Sequence, residues 1–291
     1  MDIVICVALK DCFIVKKNIY YIRKNICVQN IYIIIDSRNS YFFSKNYCKK
    51  NNITLIDEAQ LIPNRQNLEE ICKQHFTCQI RFGWYYQQFL KMGFALSKYA
   101  KEYYLIWDSD TIPLTPLTFI EQNKMVFTPK SEYHKPYFET IKKLIGYDKE
   151  TNYSFIAEHM IINVPIMREL IQQIEQSSIK GNSWISKIIN ATPPHEPNGF
   201  SEFETYGTFC HHNYINHFVL KKLRTFRNGG EIYSRGISHY KLRKLAIKYD
   251  TISIESWNTP KKSIRRMRNN IEIYFFNTIS TIRTLYPFIR I

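Results

Sequence analysis

The chain has 291 residues, 45% apolar and 22% charged, a composition that excludes a disordered or collagen-like polypeptide and is long enough to bury one large core or two modest ones. Forty Lys and Arg against 25 Asp and Glu give a formal charge of +15, which favours anionic partners such as nucleic acid, anionic lipid or phosphate-bearing ligands. The seven cysteines contain no Cys-x-x-Cys pair and are odd in number, so they cannot all be bridged within the chain and a reducing compartment is expected.

In chain order, Met1 to Val7 enters a strand with no basic leader or small-residue cleavage site. No run of 18 consecutive apolar residues follows anywhere, which argues against a spanning helix and for a cytoplasmic protein. A first strand is expected over Ile3 to Leu9, then a mostly helical segment to about Cys27, then a second strand over Ile31 to Ile35 that stops at Asp36. An acidic residue at that position can accept hydrogen bonds from a base or ribose. The Gly-rich turn of a dinucleotide-binding fingerprint is absent, which weighs against a nicotinamide enzyme. A short strand, Ile53 to Ile56, precedes a helix over Arg81 to Ala100, whose Trp84, Phe89, Met92, Leu96 and Tyr99 recur at helical intervals. The apolar run Tyr103 to Trp107 then reads as a buried strand of a parallel sheet. Strands alternating with helical segments over about 120 residues predict an α/β architecture.

The second half is less regular. Strands are expected over Lys124 to Thr128 and Phe155 to Asn163, and helices over Tyr137 to Ile145, Pro165 to Gln176 and Ser183 to Ile189. The proline-rich stretch Thr192 to Gly199 predicts a loop. After it come the acidic-aromatic block Ser201 to Cys210, a helix to about Leu223, and short strands over Leu223 to Phe226 and Thr251 to Glu255.

The chemistry concentrates at Asp108-Ser109-Asp110, directly after the Tyr103 to Trp107 strand. Catalytic groups of parallel sheets collect at the carboxyl ends of strands, and an i,i+2 spacing on extended backbone turns both carboxylates to one side. Two such carboxylates can share one Mn²⁺ or Mg²⁺ and leave positions open for the phosphates of a nucleoside-diphosphate donor. His159, His195, His211, His212 and His239 are candidates to complete the metal shell, because imidazole joins carboxylates around manganese-like ions. Of these, His239 is carried forward. Glu202 and Glu204 lie between aromatics after the proline-rich loop, and one of them is the candidate general base for an acceptor hydroxyl, with Glu204 preferred. Lys10, Lys91, Arg224, Arg227 and Arg235 are candidate contacts to a diphosphate, Arg227 within a donor-rich Asn-Gly-Gly turn.

Residues 260 to 291 carry seven Lys and Arg against Glu272, a net of +6. Ile264, Met267, Ile271, Tyr274, Phe275, Thr278 and Ile282 fall on one helical stripe there. Basic residues at one end and an aromatic-rich apolar face predict an interfacial helix on anionic lipid, with a helix docked on the protein's own core as the competing arrangement.

Taken together, Arg81 to Met92, Tyr104 to Thr111 and Ser201 to Gly207 resemble a family of bacterial glycosyltransferase-like proteins of lipopolysaccharide, lipooligosaccharide or capsule assembly. The resemblance implies a GT-A-type nucleotide-diphospho-sugar transferase fold over residues 1 to 258, a single mixed, mainly parallel sheet flanked by helices. Its nucleotide-binding half would span about 1–120 and its acceptor half about 121–258, with 259–291 the basic C-terminal helix. It further implies that Asp108 and Asp110 bind a divalent ion and the donor, that Asp36 lines the nucleotide pocket, and that a sugar passes from a nucleotide-diphosphate donor to a hydroxyl of a cell-surface glycan or glycolipid. A UDP-sugar donor, an inverting mechanism and a place on the inner face of the cytoplasmic membrane complete the expectation. A sugar nucleotidyltransferase is the rival enzyme, but the Gly-rich basic signature near its first strand is missing between Val7 and Lys17. A nucleic-acid-binding protein would account for the charge, yet no zinc-finger spacing or RNA-binding motif is present, so no specific nucleic acid is expected.

Overall fold

The structure, a computed structural model, describes residues 1–255. Its strands are β1 (Asp2–Cys6), β2 (Ile31–Ile35), β3 (Ile53–Asp57), β4 (Tyr103–Trp107), β5 (Thr111–Pro113), β6 (Ile120–Glu121), β7 (Lys124–Phe127), β8 (His159–Asn163), β9 (Phe218–Leu220), β10 (Thr225–Phe226) and β11 (Thr251–Ser253). The protein is a mixed α/β chain in which helices alternate with mostly parallel strands, as the sequence pattern predicts. Two compact units are formed by segments that interleave along the chain: of the described residues, Met1–Asp57, Trp107–Thr118 and 223–255 make one, Glu58–Ile106 and Phe119–Lys222 the other.

In the first unit, β1 and β2 have no polar face, so both must be covered on two sides, and every residue of each is buried. β1 pairs in parallel with β2, Ile3 opposite Ile31, and β2 in parallel with β3, Ile31 opposite Ile53. The crossover between β1 and β2 is the helix Cys12–Asn25. A second small sheet holds β11 between β10, which is parallel to it, and β5, which is antiparallel. Ile14 and Tyr21 of the crossover helix pack with Ile112 and Ile252 of that sheet, with Leu114 and Ile254 just beyond its strands, and with Ile237 and Leu242. This apolar cluster fixes the segment between β4 and β5.

In the second unit, β7 pairs with β6 in an antiparallel hairpin and with β9 in parallel. Its α-helices of eight residues or more are Arg65–His75, Phe82–Gly93, Lys135–Ile145, Val164–Gln176, Trp184–Ala191 and Glu202–Asn213. Pro136 and Pro165 sit in first helical turns, where a missing N–H costs nothing. Ser183 and Ser201 cap the helices that follow them by accepting an N–H from Ser186 and Glu204.

Several elements depart from their expected bounds. The helix expected to Ala100 ends at Gly93 and continues only as a 3-10 turn, Phe94–Leu96, consistent with the poor helix propensity of glycine. The strand expected from Phe155 begins at His159, because the Phe155 N–H is taken by the Glu204 carboxylate instead of a strand partner. The helix expected to about Leu223 stops at Asn213, whose side chain bonds back to the Phe209 carbonyl, and Phe218 to Leu220 then pairs with β7. Helices Arg65–His75 and His239–Leu245 and strand β5 were not expected. The basic stripe from Lys261 to Tyr286 lies outside the described residues.

Gly207 and Gly83 show how differently two helical glycines can be used. A Cβ on Gly207 would overlap the ring of Phe155, whereas one on Gly83 would meet nothing within 4 Å. Gly207→Ala should therefore cost about 1–3 kcal/mol through overpacking, while Gly83→Ala should be neutral or add up to about 1 kcal/mol of helix propensity. Urea unfolding of the two variants checks the contrast.

Candidate donor site at the aspartate turn

The carboxyl end of β4 runs into a tight turn in which the Thr111 N–H donates to the Asp108 carbonyl at 3.2 Å. Side chains and strand partners then saturate the turn's other backbone acceptors. Asn18, wholly buried on the crossover helix, donates its amide to the Asp108 carbonyl at 3.1 Å and to the Ser109 carbonyl at 3.2 Å. The Asp110 carbonyl accepts the Ile254 N–H at 3.0 Å. The indole of Trp107 donates to the Thr111 carbonyl at 2.6 Å, and the Thr111 and Ser253 hydroxyls meet at 2.8 Å. Three successive carbonyls are thus held, which fixes the backbone of the turn and with it the Cα–Cβ directions of Asp108 and Asp110.

Both aspartates are partly exposed. Burial pushes the Asp110 carboxyl well above the ordinary carboxylate range, and the negative charges of Asp11, Asp108 and Glu255 push it the same way, against the opposing pull of Arg235. Asp11 is itself buried and forms an ion pair with Arg235 at 2.5 Å, and the same guanidinium donates to the Lys10 carbonyl. Lys17 donates to the carbonyls of Ile237 at 2.6 Å and Arg235 at 3.3 Å, which fastens the Arg235 segment to the crossover helix. Arg227 stands 3.6 Å from Glu255. The first unit therefore gathers four carboxylates and two guanidiniums around one turn.

The donor set suits a divalent cation. Asp108 and Asp110 both stand on the turn, and the negative charges of Asp11, Asp108 and Glu255 act on the Asp110 carboxyl; a hard cation accepts oxygen ligands and would lower that repulsion. Among the described residues no three His, Cys, Asp or Glu side chains converge as a complete protein ligand set. Two carboxylates supplemented by phosphate and water oxygens is the usual arrangement for Mg²⁺ held with a phosphate substrate.

Other expected site residues fall at different distances from this turn. His239 is not joined to the aspartates in such a set: its Nδ1 lies 3.0 Å from the Tyr21 hydroxyl, and its ring stacks on Tyr21 at 5.6 Å between centroids. Asp36 caps the turn after β2, accepting the Arg38 N–H at 2.9 Å and pairing with the Arg38 guanidinium at 2.5 Å. Lys10 is exposed beside the Asp11 and Arg235 pair. Asp11, Asn18 and Glu255 were not anticipated. The signal for the first two was the seven-residue spacing Asp11, Asn18, Asn25 on a helix, and Glu255 carried none.

Lys91, Glu202 and Glu204 belong to the second unit and are buried there. Lys91 pairs with Glu202 at 2.9 Å with both side chains 7% exposed, and its ammonium lies 4.6 Å from the centre of the Phe203 ring. Glu204 accepts the Phe155 N–H at 2.7 Å and stands 3.4 Å from Lys149. Burial raises the Glu204 carboxyl above its ordinary value against the lowering effect of these two donors. The two glutamates thus face different partners, as their i,i+2 spacing on a helix requires.

The profile of a family described as "Family of unknown function (DUF6492)" matches residues 8–232. No curated protein matches the chain. Among solved structures, galactosyltransferase LgtC in complex with donor and acceptor sugar analogues is similar with 13% identity, covering 96% of this chain and 96% of that one at a TM-score of 0.45. Mouse xyloside xylosyltransferase 1 is similar with 11% identity over 90% of this chain and 100% of that one, TM-score 0.44. The bifunctional WbbM glycosyltransferase is similar with 14% identity over 95% of this chain and 51% of that one, TM-score 0.44.

The Lys91 and Glu202 pair yields a direct expectation. Lys91→Met leaves a carboxylate buried without its cation and should cost about 3–5 kcal/mol, while the double variant Lys91→Met, Glu202→Leu should recover much of that loss. Thermal and urea unfolding of the single and double variants measures it.

Proposed function

Because the chain belongs to DUF6492, a family of unknown function, we propose its activity from its own residues: it is a metal-dependent glycosyltransferase of GT-A type that takes a sugar from a nucleoside-diphosphate donor, a UDP-sugar in the first instance. The observation that carries this reading is the pre-set aspartate pair at the end of β4, crowded by Asp11 and Glu255 and flanked by Arg235 and Arg227.

In this reading Asp108 and Asp110 hold Mn²⁺ or Mg²⁺ through their carboxylates. When bound, such an ion offsets the charge that develops on the departing diphosphate. Arg227 and the exposed Lys10 supply further positive charge to the phosphates, and Asp36 at the end of β2 receives the nucleoside. The acceptor is a hydroxyl of a cell-surface glycan or glycolipid, transferred with inversion. Glu204 is preferred over Glu202 as its base. Glu202 is tied to Lys91 at 2.9 Å, whereas Glu204 has the longer 3.4 Å contact and a carboxyl raised in the direction that a base working near neutral pH needs. Opening of the Lys149 contact is then part of acceptor binding.

Asp110→Ala should abolish most Mn²⁺-dependent binding of UDP while preserving the fold, and Glu204→Gln should lower sugar transfer by roughly 10²-fold or more with donor affinity retained. Calorimetry with UDP, with and without Mn²⁺, and a transfer assay measure the two effects. Equal metal-dependent affinity in wild type and Asp110→Ala would overturn the assignment.

The reading also places the protein on the inner face of the cytoplasmic membrane through its basic C-terminal segment. Support comes from the net +6 of residues 260 to 291 and their apolar period. No helix among the described residues is long and apolar enough to cross a membrane. Removing residues 261–291 should release the protein from vesicles containing anionic lipid, and added salt should weaken binding of the full chain. Co-sedimentation across a salt series tests this, and unchanged binding after the deletion would contradict it.

A further inference from the structure

The crossover helix, together with Asp11 immediately before it, carries a pattern that its position in the interior makes unusual. Residues 11, 14, 18, 21 and 25 follow the alternating three- and four-residue spacing that keeps one helix face turned to a partner. Ile14 and Tyr21 fill their positions with apolar groups and belong to the cluster with Ile112 and Leu114. Asp11, Asn18 and Asn25 fill the remaining positions with polar side chains, all buried. Buried polar groups are costly unless hydrogen-bonded, and these three are bonded to separate points around one turn. Asp11 pairs with Arg235, Asn18 holds the carbonyls of Asp108 and Ser109, and Asn25 donates to the Pro113 carbonyl at 2.8 Å.

We infer that Asn18 is the positioning residue of the aspartate pair, fixing through its side-chain amide the two peptide units that flank Ser109 and so the relative direction of the Asp108 and Asp110 carboxylates. The reason lies in where its hydrogen bonds fall. A rotation of either peptide unit turns one carboxylate away from the other, and the Asn18 amide accepts neither rotation without losing a bond. Asn18 Oδ1 has no hydrogen-bond partner among the described residues, so the bonds to the turn are what fix this amide. Asn25, one heptad on, anchors β5 at Pro113, beyond both aspartates. It supplies a matched control, a buried amide of the same helix with a comparable bond to a carbonyl that does not set the carboxylates.

The functional consequence rests on the donor-site reading, and the test separates the two. Asn18→Leu keeps the shape and removes the donor, Asn18→Ser is a smaller change that tolerates a filling water, and Asn25→Leu is the control. Amide exchange at Thr111, whose N–H closes the turn on Asp108, reads the clamp without any ligand. It should accelerate by roughly tenfold or more in both Asn18 variants and stay near wild type in Asn25→Leu. Calorimetry with UDP and Mn²⁺ should show affinity reduced by roughly 10–100-fold in the Asn18 variants, the range for residues that orient metal ligands, and retained in Asn25→Leu. Unchanged Thr111 exchange in Asn18→Ser, or equal losses of affinity in Asn18 and Asn25 variants, would overturn the positioning role. Absence of UDP and Mn²⁺ binding by the wild-type protein would instead sink the donor-site reading, and the exchange result alone would then decide for or against the clamp.

Discussion

The site depends on one constraint: the carbonyls of Asp108, Ser109 and Asp110 are all occupied, two by the amide of Asn18 and one by the Ile254 N–H. A turn whose backbone acceptors are satisfied within the protein has lost most of its freedom to rearrange, so the direction of its side chains is a property of the fold. The rest of the first unit serves that arrangement. β11 runs antiparallel to β5 to bring Ile254 to the turn, and the crossover helix packs Ile14 and Tyr21 on the same small sheet to bring Asn18 there. In the proposed donor site, a backbone held in advance is what would separate a binding site from a chance pair of acids.

Electrostatics divides the charged residues into two kinds. Around the turn, Asp11, Asp108, Asp110 and Glu255 face Arg235 and Arg227, and the Asp110 carboxyl is raised first by burial and then by the neighbouring negative charges, against the pull of Arg235. In the second unit the balance closes locally. Lys91 meets Glu202, Lys130 meets Glu158 at 3.1 Å, and the Thr128 hydroxyl meets His159 Nε2 at 2.9 Å. Breaking one member of such a buried pair is expensive, but an intact pair adds little to stability. Its value lies in fixing which helix faces which, as Lys91 does when it draws the helix Glu202–Asn213 toward Phe82–Gly93.

The sequence made the strands around the site legible. Ile31 to Ile35 and Tyr103 to Trp107 coincide with β2 and β4, since uninterrupted β-branched and aromatic runs leave no other way to bury both faces. The aspartate pair was legible for the same reason, standing where such a strand must end. What lay around it was hidden. Asp11 and Asn18 reach the turn across about 90 residues or more of chain, Arg235 and Glu255 across more than 100, and a local pattern cannot report which distant carbonyl a side chain will meet. The polar stripe 11, 18, 25 was visible as a spacing but reads as a solvent-facing stripe until the helix is seen buried. The glutamates were visible as two acids after a proline-rich loop, but their burial and their ion pairs with Lys91 and Lys149 were not, because those lysines lie 111 and 55 residues away along the chain.

As proposed, the turn at Asp108 to Asp110 receives a divalent cation together with a nucleoside diphosphate. Anomalous diffraction from crystals of the full chain grown with Mn²⁺ and UDP tests it most directly. The account predicts a manganese peak within coordination distance of Asp108 and Asp110, with the remaining positions filled by diphosphate and water oxygens. UDP bound elsewhere with no metal between the two carboxylates, or manganese held by other residues, would contradict it.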